Sequence, residues 1–206
     1  MQQKFKNITT WNRKLHIHLG LFMVLFVWLF SLSGLLLNHG SKWKFTSFWN
    51  ERKEKTTVIP VSVVAGPDSS ALLKTIMEQL KISGEVTGVT LTNDSIDFSV
   101  SIPGHERNLH VNFKKGTCTQ KELIFNGWGK MRTLHTFNGF NKNNPDTPPN
   151  WVITRIWQFT KDVLAMGFLV LCFSSWIMWY KIRDRYSWGW LFLLSGVAVF
   201  IYFVFH

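Results

Sequence analysis

The chain has 206 residues, 46% of them hydrophobic, and a formal charge of +11, with a mean hydropathy of only +0.05. Modest Gly and Pro content and two Cys exclude collagen-like, disordered and disulfide-scaffold classes. The average would suit a basic soluble domain, but 11 Trp and 18 Phe accompany three unbroken apolar blocks, and that clustering belongs to a membrane protein.

Residues 1–15 carry Lys4, Lys6, Arg13 and Lys14 and no acidic group, and read as a basic cytoplasmic N-terminus. The first block, Leu19 to Leu37, follows; with its flanks it predicts a transmembrane helix over 16–39, since about 20 residues cross roughly 30 Å of hydrocarbon. A secretory signal would also begin with basic residues, but this block is too long and no small-residue cleavage site follows it before Asn38-His39-Gly40. An uncleaved first helix is the expectation. The block is apolar all round, which sets it apart from the two-faced helices of soluble proteins.

Residues 40–150 predict an outer domain with an interfacial linker. Trp43 to Lys55 mixes aromatic and basic residues suited to a membrane interface, and Thr56 to Val64 reads as extended. Pro67-Asp68-Ser69-Ser70 signals a helix start, Leu72, Leu73, Ile76, Met77 and Leu80 follow at helical spacing, and Gly84 is the expected stop. Val89 and Leu91, then Ile96, Phe98, Val100 and Ile102, then Leu109, Val111 and Phe113 alternate with polar residues. That pattern predicts an antiparallel meander, with Thr119 to Phe125 as a fourth strand. The chain then returns through Trp128 to Phe140 and a Pro-rich stretch in which Pro145, Pro148 and Pro149 forbid a continuous helix. Trp151 and Trp157 read as interfacial anchors.

The second span is expected over 157–180, a basic cytoplasmic loop over 181–187, and the third span over 188–205. Lys and Arg near the spans place the N-terminus and this loop inside, and the central domain and C-terminus outside. The outer domain is itself net basic, but long domains translocate regardless of charge. The fold class is therefore a mainly α membrane protein: three transmembrane helices with a small α+β extracytoplasmic domain inserted between helices 1 and 2. Its surroundings are the lipid bilayer, and no nucleic-acid-binding signature accompanies the basic charge. Cys118 lies in the outer domain and Cys172 in mid-span, so no disulfide is expected within one chain.

Five of the seven histidines lie within or near span ends, where ionisable groups mark functional sites. On an ideal helix His16 and Gly34 are about five turns apart and share a face with Gly20, Ser31 and Asn38, while His18 points about 160° away. His16 is thus the better buried ligand and His18 meets headgroups. His39, His135 and His206 all belong to the outer side. Imidazoles can ligate a b-type haem without an attachment motif, so His16, His39, His135 and His206 are the candidate ligands to haem iron. The bland alternative for the last three is helix-end anchoring. His105, in a Pro-Gly turn, and His110, on the polar side of a strand, read as solvated.

Arg13 to Leu37, with its Arg-x-x-His-x-x-x-Gly start and Ser-Gly end, resembles the first helix of the PepSY-associated transmembrane family; His16, Gly20, Ser33 and Gly34 stand at its motif positions. RTLHTFNG, Arg132 to Gly139, followed by the second span, resembles that family's second histidine-plus-helix unit, with His135 as counterpart. The intervening helix and strands resemble a PepSY-type domain. The resemblance implies a bacterial inner-membrane protein that binds haem b and passes electrons to an outer acceptor such as a ferric complex, in the manner of a ferric-siderophore reductase component. Two histidines on one helix turn cannot clasp a haem, so the expectation is one outer-side haem per chain or a symmetric homodimer sharing haem. With no Gly-x-Gly-x-x-Gly fingerprint, electrons would come from a quinol or a partner subunit. The alternative function is a non-catalytic accessory subunit of a larger respiratory or transport complex.

Overall fold

The computed structural model describes residues 2–39, 51–63, 69–139, 148–181 and 186–206, with side chains omitted for 2–8, 186 and 187. The stretch 43–50, the Pro67-Asp68 signal, Pro145 and the connector 182–185 lie outside the described residues. Ten elements follow in order: α1 (Gln2–His39), β1 (Arg52–Pro60), α2 (Ser69–Leu80), β2 (Glu85–Leu91), β3 (Ser95–Ile102), β4 (His105–Asn112), β5 (Thr117–Phe125), α3 (Gly127–Thr136), α4 (Val152–Lys181) and α5 (Tyr186–Phe205).

Among the described residues three helical stretches are long and apolar enough to cross a membrane: Thr9–His39, Val152–Lys181 and Trp188–Phe205. The first two exceed the expected spans, because helix continues into polar flanks that apolar composition alone does not include. The basic N-terminus, expected to precede the first helix, is part of α1.

The chain forms two compact units, Met1–Phe26 with Lys161–His206, and Val27–Thr160. Their boundaries fall inside α1 and α4 rather than at residues 40 and 150. In the first unit α1 and α4 run antiparallel. Asn12 Nδ2 donates to Ser174 O at 3.1 Å, and Lys181 Nζ donates to Thr9 Oγ1. Gly167 lets Met23 pack directly on the α4 backbone, for a Cβ there would lie 2.7 Å from Met23 Sδ. Close approach through a small residue is how apolar helices associate where no hydrophobic drive separates them from lipid. Gly189 plays the same part in α5, where a Cβ would overlap the Trp179 indole.

Along α1 the buried residues Asn12, Met23 and Ser33 fall on one stripe with half-buried His16, Leu19, Phe26 and Phe30. The steps alternate between four and three residues, the 3.5-residue seam of packed helices. The face expected from a 3.6-residue period is corrected accordingly: Ser31 and Asn38 are exposed, and Ser33 is the serine inside.

In the second unit the sheet has five antiparallel strands in the order β1-β5-β4-β3-β2. The expected meander has four; the fifth is β1, read from sequence as an isolated extended stretch, which pairs with β5 from Arg52↔Phe125 to Pro60↔Thr117. Helix α2 lays Leu72 and Ile76 on a core of Ile96, Phe98, Val100, Leu109, Val111 and Cys118. It ends four residues before the expected Gly84 stop. Lys81 takes the left-handed conformation (φ 52°), and Ile82 N–H returns to Met77 O at 3.0 Å, closing the helix. Gly84 instead serves a close approach to β3, since a Cβ would lie 2.8 Å from Val100 Cγ1 and 2.9 Å from Ser101 O.

Cys118 is fully buried, and burial pushes its thiol up to about 11. Because the thiolate is the reactive form, Cys118 is expected to resist maleimide at pH 7.5 in the folded protein and to label on unfolding, as mass spectrometry of the intact chain would show.

Candidate functional site

Helix α3 was not foreseen from sequence. Its two glycines and two threonines are poor helix formers, but Asn126 caps it, the side-chain Oδ1 accepting from Gly129 N at 2.8 Å. Gly129 is required there because a Cβ would sit 2.7 Å from Phe125 Cβ. The last turn of α3 carries His135, and the helix thereby brings that imidazole onto the part of α1 within the second unit.

His135 Nδ1 lies 2.7 Å from Ser33 Oγ. The same hydroxyl lies 2.5 Å from Leu29 O, a carbonyl that can only accept, so the single Ser33 proton goes to Leu29. Ser33 therefore accepts from His135, Nδ1 carries the proton, and Nε2 is the nitrogen left to bind a ligand. Phe30 meets the imidazole edge-on at 5.1 Å and stacks on Trp157 at 6.1 Å and 20°. Gly34 completes the cradle: a Cβ there would reach His135 Cε1 at 3.6 Å. Ser33 and Thr154 are wholly buried. Thr154 Oγ1 and Trp157 Nε1 are buried without a hydrogen-bond partner among the described residues.

The other histidines near span ends are held differently. His18 and His39 fold Nδ1 back onto carbonyls one turn earlier, Lys14 O at 2.7 Å and Leu35 O at 3.0 Å. His16, in the first unit, does not, and its Nδ1 is buried and unpartnered among the described residues. His39 lies six residues beyond Ser33, about 120° around α1 from the face that meets His135. His206 is exposed and stacks on Tyr202 at 4.8 Å. Among the described residues no three His, Cys, Asp or Glu side chains converge as a metal site would require.

No family model, curated protein or solved structure matches the chain. The functional reading therefore rests on its own residues.

His105 departs from the solvated reading. It begins β4 with its side chain only 18% exposed, 3.8 Å from Glu122 Oε1, while Arg107 Nε and Gln120 Nε2 donate to that same oxygen at 2.9 and 2.6 Å. Burial, then the Arg107 charge, lower the His105 pKa from its ordinary 6.5 against the pull of Glu122. Burial alone would raise Glu122, but the hydrogen bond and charge of Arg107, with help from His105 and Gln120, outweigh it and hold the carboxyl below its ordinary 4.5. His110 is about half exposed, as read, but is held at 2.6 Å by Asp97.

Both shifts have the same stability sign. A lowered His keeps its full contribution above 6.5 and loses it as pH falls below that value. A lowered Glu keeps its contribution above 4.5 and loses it as pH falls through its folded value. The melting temperature of the sheet domain is therefore expected to drop on acidification from pH 7 to 4. The drop should be smaller in His105→Gln, which removes one titrating group and one of the charges that lower the other, measured by thermal unfolding across that range.

Proposed function

We propose that the chain is a multi-pass membrane protein that binds haem b through His135 Nε2 and passes electrons to an acceptor on the side of its sheet domain. The observation that carries this is the tautomer set by Ser33. Metal-ligating histidines characteristically donate their second nitrogen to an outer partner that orients the ring, and the Ser33 hydroxyl fills that role inside a part-buried aromatic cradle. The unpartnered Trp157 Nε1, on a ring that stacks on Phe30 next to the imidazole, fits a resident group there. The two segments that resemble the PepSY-associated family also meet here, Ser33-Gly34 from one and His135 from the other.

Bound haem would supply one-electron redox chemistry. The chain's own residues orient the imidazole and set the Phe30 ring against it. A second copy of the chain would supply the other ligand, as a homodimer sharing haem requires. The basic N-terminus lies in the bacterial cytoplasm, and a quinol or partner subunit delivers electrons to be passed to a ferric complex outside.

The test is haem titration of the detergent-purified protein. A Soret and a reduced α band appearing at one haem per two chains would support the reading, and the absence of both would refute it.

One observation favours a second reading, an accessory subunit of a larger complex: no residue of the Trp188–Phe205 span is buried, so α5 offers a whole apolar helix to lipid or to partner helices. A complex that stays intact and active without haem would select it.

A further inference from the structure

A second site lies away from His135, in a groove of about 700 Å³ between α2 and the free edge of β2, lined by Leu73, Met77, Ile82, Val86, Val89 and Trp151 among others. An apolar groove beside an edge strand ordinarily suits an added peptide strand. Two features oppose that here. The Asn150 side chain already occupies both backbone groups of Val86, accepting from its N–H at 2.9 Å and donating to its carbonyl at 2.7 Å. Beyond Val86 the β2–β3 register breaks between Thr87 and Thr90, with Gly88 at φ 66°, and such bulges spoil an edge for pairing. The groove thus offers hydrocarbon surface and little backbone to bond, which suits a chain of methylenes.

Its position says where that chain comes from. Trp151 is part of its lining and immediately precedes α4, a helix long and apolar enough to cross a membrane. The first turns of α4 expose Val152, Ile153, Ile156 and Phe159, each more than half accessible, so apolar surface continues in the chain directly after Trp151. Among the described residues the rim carries exposed Lys74 and Lys81 against Glu78, a net positive mouth. We propose that this groove seats one acyl chain of an anionic phospholipid, with Lys74 and Lys81 at its headgroup. The inference does not depend on haem.

The test places the full chain in nanodiscs containing phosphatidylglycerol with a diazirine on one acyl chain, or the matching phosphatidylcholine, and maps adducts by mass spectrometry after irradiation. Adducts are expected on the peptides spanning 69–91 as well as on the helices, with at least threefold more groove labelling from the anionic lipid. Met77→Glu should remove the groove adducts and leave those on α5. Lys74→Gln with Lys81→Asn, which removes both charges from exposed side chains while keeping at 81 a residue that tolerates the left-handed conformation, should bring phosphatidylglycerol labelling down to the phosphatidylcholine level. Adducts confined to α1, α4 and α5 would overturn the proposal, as would equal labelling by the two lipids or indifference to the lysine pair.

Discussion

His135→Ala is expected to abolish the Soret and α bands of the haem-titrated protein, whereas Ser33→Ala should keep them with affinity lowered about 10- to 100-fold, the range seen when an outer partner of a ligating histidine is lost. The distinction follows from the cradle. Without the imidazole no Nε2 remains at the site. Without the Ser33 hydroxyl the ring stays on α3 between Phe30 and Gly34 but loses the acceptor that fixes its tautomer and orientation. A merely structural clip between α3 and α1 would behave differently: both variants would loosen the fold and neither would alter a spectrum. His110→Ala, whose imidazole is held by Asp97 on the polar face of the sheet, should leave the bands unchanged. His16→Ala removes a histidine of the other unit and should leave the His135-bound fraction intact. Retention of full band intensity in His135→Ala would end the haem assignment to this residue.

Local patterns were legible in the sequence, and contacts between distant segments were not. The three spans follow from apolar runs that need no partner to be recognised, and the alternation in β3 and β4 marks their buried face at Ile96, Phe98, Val100, Leu109 and Val111. What failed depended on partners. The exposed pattern of β1 gives no core signal because it is an edge strand, and its place beside β5 is set some 60 residues later. The inward face of α1 follows the 3.5-residue seam imposed by helix packing, so an ideal-helix projection names Ser31 where the structure buries Ser33. Helix α3 has weak intrinsic propensity and is held by its cap and by packing. Its one local signal was Asn126, three residues before the amide it caps. His105 reads as a turn residue by its Pro-Gly neighbours, yet its side chain turns toward Arg107 and Glu122, whose alignment only the strand register creates.

Glu85→Ala is expected to destabilise the sheet domain by about 3 kcal/mol, the sum of two hydrogen bonds to a charged acceptor at the low end of their usual range. Glu85 is 1% exposed, and nothing in its sequence context distinguishes it from a surface glutamate on an edge strand. Its two oxygens accept from Asn150 N at 2.9 Å and Trp151 N at 3.1 Å, the two amides that precede α4. Trp151 O accepts the first helical bond, from Arg155 N, so the carboxylate satisfies donors that the helix itself leaves unpaired and places negative charge at its N-terminal end. Gly139, with φ 64°, packs against the same carboxyl; a Cβ there would come within 3.2 Å of Glu85 Cδ and 2.7 Å of Thr154 Cγ2. The pocket therefore has no slack to be filled by rearrangement. Glu85→Gln tests the chemistry at constant volume, since its amide nitrogen would face a backbone N–H donor in place of an acceptor, and it should recover less than half of the loss. Denaturant unfolding followed by near-ultraviolet circular dichroism measures the change, with exposed Glu78→Gln as the neutral reference. A loss below 1 kcal/mol in Glu85→Ala would mean that water replaces the carboxylate, and that Asn150, through its two bonds to Val86, holds the start of α4 on the sheet by itself.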